Sequence, residues 1–307
     1  MSKTMDRLEA MSMFLAAVEN GSLSAAARQM RVPVATLSRK VAELEALLGT
    51  QLLTRTTRKL TLTDAGVTYA AASRHILELV NDAQREAAGE FTMPTGELVI
   101  TAPLLFGRLH VLPIIVDFLA LYPAINVRLA LGDHIANLVD DGIDMAVRIG
   151  ALPDSGMIAT RVGSMRLVIC GSPKLLEQGV PRAPDELRQK PCIAIGYPTS
   201  DLLWRFRLPD KQAPIEIPIA PRLVTTTEAA LDAAIRGLGF VRLRYYQALE
   251  ALRTGKLGLV LEAYEPEPAP IHLVHVSRGQ MPLKMRGFID FAAPRLRKSL
   301  AAMGSAA

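Results

Sequence analysis

Between Arg31 and Leu60 the chain carries six basic residues against two acidic ones. Arg39, Lys40, Arg55, Arg58 and Lys59 have the charge and reach to meet phosphate oxygens or the acceptor edge of guanine. Ser24, Ala35, Thr36, Ser38 and Thr57 are small or hydroxylic and let a polyanion come close. A solvated position explains any one of these cations equally well. Further along, Arg148, Arg242 and Arg244 follow apolar, strand-like runs, where a guanidinium fork can hold a carboxylate; Arg148 can equally tie a strand end to a neighbouring loop. Catalytic chemistry has no support. His272 and His275 would face opposite sides of a strand, so they do not form a metal pair. Gly237 and Gly239 lack the third glycine of a dinucleotide loop, and there is no Gly-x-Ser-x-Gly elbow. Cys170 and Cys192 are far apart in sequence and read as buried thiols. No catalytic residue, metal or cofactor is expected.

The elements that would position the first set of cations are short helices. Leu8, Met11, Phe14, Leu15 and Val18 recur on one helical face, with Asp6 as N-cap and Gly21 as the stop. Ser24 is expected to cap a second helix through Ala25 to Met30, and Arg31-Val32 to form a tight turn. A third helix begins near Pro33 and runs to Leu48, with Leu37, Val41, Leu44 and Leu48 inward and Gly49 ending it. Two helices joined so tightly form a helix-turn-helix, whose second member can enter a major groove. The alternating, basic stretch from Leu52 to Leu62 suits a wing hairpin. Thr63 can cap a long helix from Asp64 to about Ala88, with Tyr69, Ser73, Ile76, Val80, Ala83 and Ala87 along a narrow seam.

Beyond Glu97 the pattern changes to alternating strands and helices: strands over 98–100, 127–131 and 145–149, and helices over 110–121 and 135–141. A second series starts at Leu167, includes a helix from Thr227 to Arg236 and continues through a strand over 237–241. A parallel-sheet α/β architecture follows. Ligands bind beyond the carboxyl ends of strands in such folds. That rule picks Thr101, Pro103 and Leu104 after one strand, Asp133 and His134 after the next, and Arg148 and Ile149 after a third. In the second series it picks Thr225, Thr226, Thr227 and Arg242. Trp204 reads as core.

A length of 307 residues, half of them hydrophobic and 21% charged, describes a globular chain of two or three domains. Residues 1–60 hold nine Lys/Arg and five Asp/Glu, which places most of the net +5 in the first fifth of the chain. No run of eighteen uninterrupted apolar residues and no signal segment is evident, so a cytoplasmic protein without a membrane partner is expected.

Several segments, taken in order, carry a family resemblance: Ala25-Ala26-Ala27-Arg28, Leu37-Ser38-Arg39-Lys40-Val41, Leu44-Glu45, the basic wing, and Leu62-Thr63-Asp64-Ala65-Gly66. Together they resemble the DNA-binding head of LysR-type transcriptional regulators. The chain departs from that pattern at Pro33 and Val34, where members commonly show a Ser cap followed by Pro or Gln. The resemblance implies a winged helix-turn-helix over 1–62, a linker and dimerisation helix over 63–93, and an effector-binding domain over 94–307. The last would be a two-lobed α/β, periplasmic-binding-protein-like unit, with lobe 1 at about 94–161 and 269–300 and lobe 2 at about 162–268. It also implies a double-stranded DNA operator, a small-molecule effector, self-association to a homodimer or homotetramer, and contact with RNA polymerase. The arginines favour a carboxylate as that effector. The rival readings are a small-molecule binding protein without regulatory DNA activity and an enzyme with an appended DNA-binding head.

Overall fold

The structure, a computed structural model, describes residues 6–55, 60–87, 93–133, 137–138, 141–152, 156–196, 202–208, 213–276 and 281–304. Helix α1 (Arg7–Glu19) starts at Asp6, whose carboxylate accepts the Leu8 and Glu9 amides at 3.0 and 3.2 Å. Its buried face is Ala10, Met13, Phe14, Leu15 and Ala17, while Leu8 is exposed and Met11 and Val18 are half-buried. A face counted from large residues alone was rotated, because the two alanines are what let the neighbouring helices approach. Helix α2 (Leu23–Met30) is capped by Ser22 rather than Ser24: the extended Ser22 backbone aims its hydroxyl at the Ala25 amide, and Ser24 lies exposed in the first turn. Arg31 ends the helix in the left-handed region, at φ +56°, and the Val32 amide reaches back to the Ala27 carbonyl. Helix α3 (Val34–Leu48) follows at once, with Pro33 as an N-cap that supplies no side-chain hydrogen bond. Leu37, Val41 and Leu44 are buried as expected, whereas Leu48, in the last turn before the left-handed Gly49, is exposed.

Strands β1 (Leu53–Arg55) and β2 (Leu60–Leu62) pair antiparallel, Leu53 opposite Leu62. The Glu45 carboxylate, projecting from α3, accepts the Leu52 and Leu53 amides at 2.8 and 3.0 Å. Helix α4 (Asp64–Ala87) is capped by Thr63, whose hydroxyl accepts the Gly66 amide and donates to the Gln51 carbonyl. Gly66 is required there, since a Cβ would sit 2.0 Å from the Leu52 carbonyl oxygen. The seam expected along α4 splits. Tyr69 packs on Phe14 at 5.8 Å and Ser73 is buried, so this stretch faces the head, whereas Val67 and Ile76 are exposed.

The remaining chain builds two five-stranded sheets. After β3 (Gly96–Ala102) come α5 (Leu104–Phe106), a π-helical turn at Gly107–Val111, and α6 (Leu112–Leu121), one continuous helix. Strands β4 (Ile125–Leu131), β5 (Met145–Ile149) and β6 (Met157–Met165) follow, then β7 (Leu167–Gly171) and α7 (Pro173–Glu177). Next are β8 (Cys192–Ile195), β9 (Leu203–Phe206), β10 (Ile215–Pro218), β11 (Pro221–Thr225) and α8 (Thr227–Ile235). The chain closes with β12 (Phe240–Arg244), α9 (Tyr245–Arg253), β13 (Gly258–Val260), β14 (Ala269–Val276) and α10 (Leu283–Gly304). One sheet has the order β4-β3-β5-β14-β6 and the other β11-β8-β12-β7-β13.

Both sheets are mixed, which corrects the expectation of parallel sheets. The chain passes from one sheet to the other twice, and each arriving strand, β7 and then β14, runs antiparallel to both its neighbours. The helix expected over 135–141 is also corrected at Leu138 and Asp141, which lie in turns, and at Asn137, which lies outside any regular element; 134–136 and 139–140 lie outside the described residues. The segment Leu104–Leu121 is long and apolar enough, at a mean hydropathy of 1.9, to cross a membrane by length and composition. It instead buries Phe106, Ile114, Ile115 and Phe118, with Phe118 edge-on to Phe288 and tilted against Phe291 of α10, and it is interrupted by Arg108, His110 and Asp117.

Replacing Glu45 by Ala strands two partly buried amides, each worth roughly 1–3 kcal/mol when left unsatisfied. Chemical denaturation of Glu45→Ala is expected to show that loss in the head, with faster amide exchange at Leu52 and Leu53. Unchanged exchange at those two amides would show that the carboxylate does not hold them.

Candidate functional site

Two regions gather the residues singled out from sequence. The first turns of α3 present Ala35 exposed, Thr36 and Ser38 half-buried, and Arg39 with 69% of its side chain accessible, 3.7 Å from Glu43 one turn on. Lys40 differs from expectation. Its side chain is only 17% exposed and its Nζ lies 2.6 Å from Glu9 of α1, so it ties the two helices together rather than pointing outward. Residue 40 follows the Leu37-Val41 face closely enough for a long side chain to reach back across α1. Arg55 ends β1, and Thr57, Arg58 and Lys59 lie outside the described residues.

The second region is a cavity of about 810 Å³ between the carboxyl ends of the two sheets. Of the residues picked from sequence, Pro103, Asp133, Arg148, Ile149 and Thr227 line it. Thr101 does not, being buried within β3, and Leu104 contributes its amide to Asp133 Oδ1 at 3.1 Å from outside the lining. Thr225 and Thr226, at the end of β11 and the cap of α8, are also outside it, and His134 lies outside the described residues. Arg242 is the clearest correction. Its guanidinium sits 5.4 Å over the Trp204 ring, away from the cavity, because residue 242 is held in mid-strand with Trp204 beside it. Arg244 lines the cavity instead, since it stands where β12 turns into α9.

Sequence reasoning also missed Tyr246 and Gln247, the first turn of α9; extending the strand-end rule by one helical turn finds both. Met157 and Val276 carry no such signal, because the pairing of β6 with β14 is what brings them to the cavity.

Two arginines, Arg148 and Arg244, line the cavity. Arg244 donates to the Ile149 carbonyl at 3.3 Å, and burial pushes its guanidinium below the ordinary arginine range. Among the described residues no carboxylate forms an ion pair with it. Burial acts on Arg148 in the same direction. Tyr246 is pushed up to about 12, chiefly by burial, so its phenol stays a neutral donor; Gln247 donates to it at 3.3 Å. The Tyr246 ring stands edge-on to Phe106 at 5.4 Å and His110 at 5.8 Å, so α9 touches the helix of the other sheet.

A helix-turn-helix pair is thus joined to a two-sheet unit with a cavity between its sheets. Residues 8–67 match the model of the bacterial regulatory helix-turn-helix protein, lysR family, and residues 92–297 match the LysR substrate binding domain. The chain belongs to the LysR family of transcriptional regulators. It is 34% identical over 285 residues to the probable HTH-type transcriptional regulator LtrA of Klebsiella pneumoniae, covering 92% of each chain. It is 30% identical over 290 residues to the HTH-type transcriptional activator AaeR of Escherichia coli K12, covering 93% of each. Among solved structures it is similar to CrgA, a LysR-type regulator of Neisseria meningitidis, at 29% identity and a TM-score of 0.59, covering 94% of this chain and 98% of that one. Full-length LysG of Corynebacterium glutamicum shares the fold, with a TM-score of 0.63 at 21% identity over 95% of this chain and 98% of that one. This LysR-type regulator is thus a DNA-binding transcription factor with an effector-binding domain.

The two thiols of this regulator are buried, and burial pushes Cys170 up to about 12 and Cys192 to about 11. Since the thiolate is the reactive form, iodoacetamide at about pH 8 is expected to label neither in the folded protein and both after unfolding. Native labelling at a rate close to that of free cysteine, read by mass spectrometry, would contradict this burial.

Proposed function

We propose that this LysR-type regulator reads a specific operator through α3 and the wing and is controlled by an anionic small molecule held in the interlobe cavity. The observation that carries the anionic reading is Arg244: a buried guanidinium that donates to a backbone carbonyl and, among the described residues, forms no ion pair with a carboxylate leaves a desolvated positive charge for a ligand to neutralise. Ala35, Thr36, Ser38 and Arg39, in the first turns of α3, are the base-reading set. Arg55, Arg58 and Lys59 are assigned to the phosphate backbone beside it. In this reading the division into head, linker and effector domain follows 1–62, 63–93 and 94–307. Exposed Val67 and Ile76 on α4 support pairing with a second copy, giving a dimer or tetramer that sets two heads on one operator.

The protein would act in the cytoplasm, where DNA and metabolite meet, and its contact with RNA polymerase would carry the output. A ligand can shift the heads only by binding the two lobe arrangements with different affinity. The contact of Tyr246 with Phe106 and His110 supplies a place where closure would be felt.

Binding of the purified protein to genomic DNA fragments at fixed, near-physiological salt tests the central claim. Wild type is expected to give a selective footprint, and Arg39→Ala to lose about 1–3 kcal/mol of the discrimination against other sequences. Weak, sequence-indifferent binding by both proteins would overturn the assignment of α3 as the reader.

A further inference from the structure

We infer that the interlobe cavity selects a monocarboxylic acid with an apolar body, its one negative charge held beside Arg244 and a second one rejected by Asp133. This rests on the anionic-effector reading and goes further, because the cavity is lined by Asp133 as well as by Arg148 and Arg244. Arg244 anchors to the carbonyl of Ile149, and Arg148 also lines the cavity. A carboxylate placed there gains charge-assisted hydrogen bonds in a desolvated setting.

Leu138, Ile149, Leu152, Met157 and Val276 also line the cavity and offer an arriving ligand apolar surface and no charge. A cavity of about 810 Å³ leaves room for a substantial hydrocarbon body, and burying one is favourable at roughly 25 cal/mol per Å².

Asp133 decides against a second anionic group. Its Oδ1 accepts the Leu104 amide at 3.1 Å, at the start of the continuous helix Leu104–Leu121. The positive end of that helix, which would otherwise attract a ligand carboxylate, already holds the chain's own. A second ligand carboxylate on that side would meet a like charge with the amide already used. The same compensation means that Asp133 does not call for a ligand cation, which is why a plain acid is favoured over an amino acid.

Isothermal titration of the full-length protein separates these alternatives, with hexanoate and 3-phenylpropanoate as monoanions, adipate as the matched dianion, and phenylalanine as the zwitterion. Adipate is expected to bind at least about tenfold more weakly than hexanoate, and phenylalanine more weakly than 3-phenylpropanoate. Asp133→Asn keeps an acceptor for the Leu104 amide and is expected to narrow the hexanoate-to-adipate ratio. Arg244→Met is expected to weaken every carboxylate by about tenfold or more. The ratios in the wild-type protein need no variant to fold.

Adipate binding as tightly as hexanoate, still dependent on Arg244, would overturn the single-charge inference while leaving an anionic effector standing. Phenylalanine binding more tightly than 3-phenylpropanoate would overturn it in favour of a zwitterion. Failure of every carboxylate to bind would remove the anionic reading as well.

Discussion

The two sheets are held to one another where the chain crosses between them, and a single arginine fastens that crossing. Arg166 is the residue between β6 and β7. Its guanidinium grips both oxygens of Glu265, on the return path, at 2.8 Å each, and reaches Glu262 at 3.2 Å. These two carboxylates raise its already high pKa, so the arrangement stays charged at any pH the protein meets. The same guanidinium lies 5.1 Å over the Tyr245 ring, and the Tyr245 amide donates to the Arg166 carbonyl. Since Arg244 and Tyr246 flank Tyr245, the wall of the cavity is built next to this crossing.

A comparable economy holds the N-terminal unit. Between α3 and α4, Glu45 takes the Leu52 and Leu53 amides, and Thr63 bonds to both Gln51 and Gly66. The close approach at Gly66 seats the start of α4 against Leu52, while Tyr69 and Ser73 continue that contact down the helix. A rotation of α4 therefore has to be felt by the helix-turn-helix.

Much of the architecture was legible because it rests on local rules. The Asp6 cap, the stop at Gly49, the Thr63 cap and the alternation of strands with helices each follow from a side chain acting within a few residues of itself. The cavity was legible in part: Pro103, Asp133, Arg148, Ile149 and Thr227 stand at strand ends, and the strand-end rule finds them. The same rule misplaced Arg242, because an arginine in a strand goes wherever an aromatic face can take it, and Trp204 arrives from forty residues upstream in a separate hairpin. Lys40 went astray for a related reason. The helix periodicity gives the position of its Cα, but a lysine's length lets the partner, Glu9, choose its direction.

By itself the sequence determined the order of elements, the basic helix-turn-helix, the long helix after it, and the α/β character of the rest, since these depend on propensity, capping and period. Tertiary structure alone decided that each sheet is mixed, that Arg244 and not Arg242 lines the cavity, and that Met157 and Val276 reach it from paired strands. It also decided that Asp133 is already engaged with a helix start. The physical reason is distance along the chain. A cap or a period is settled within one or two turns, whereas the direction of a long charged side chain depends on partners supplied by segments that only folding brings together.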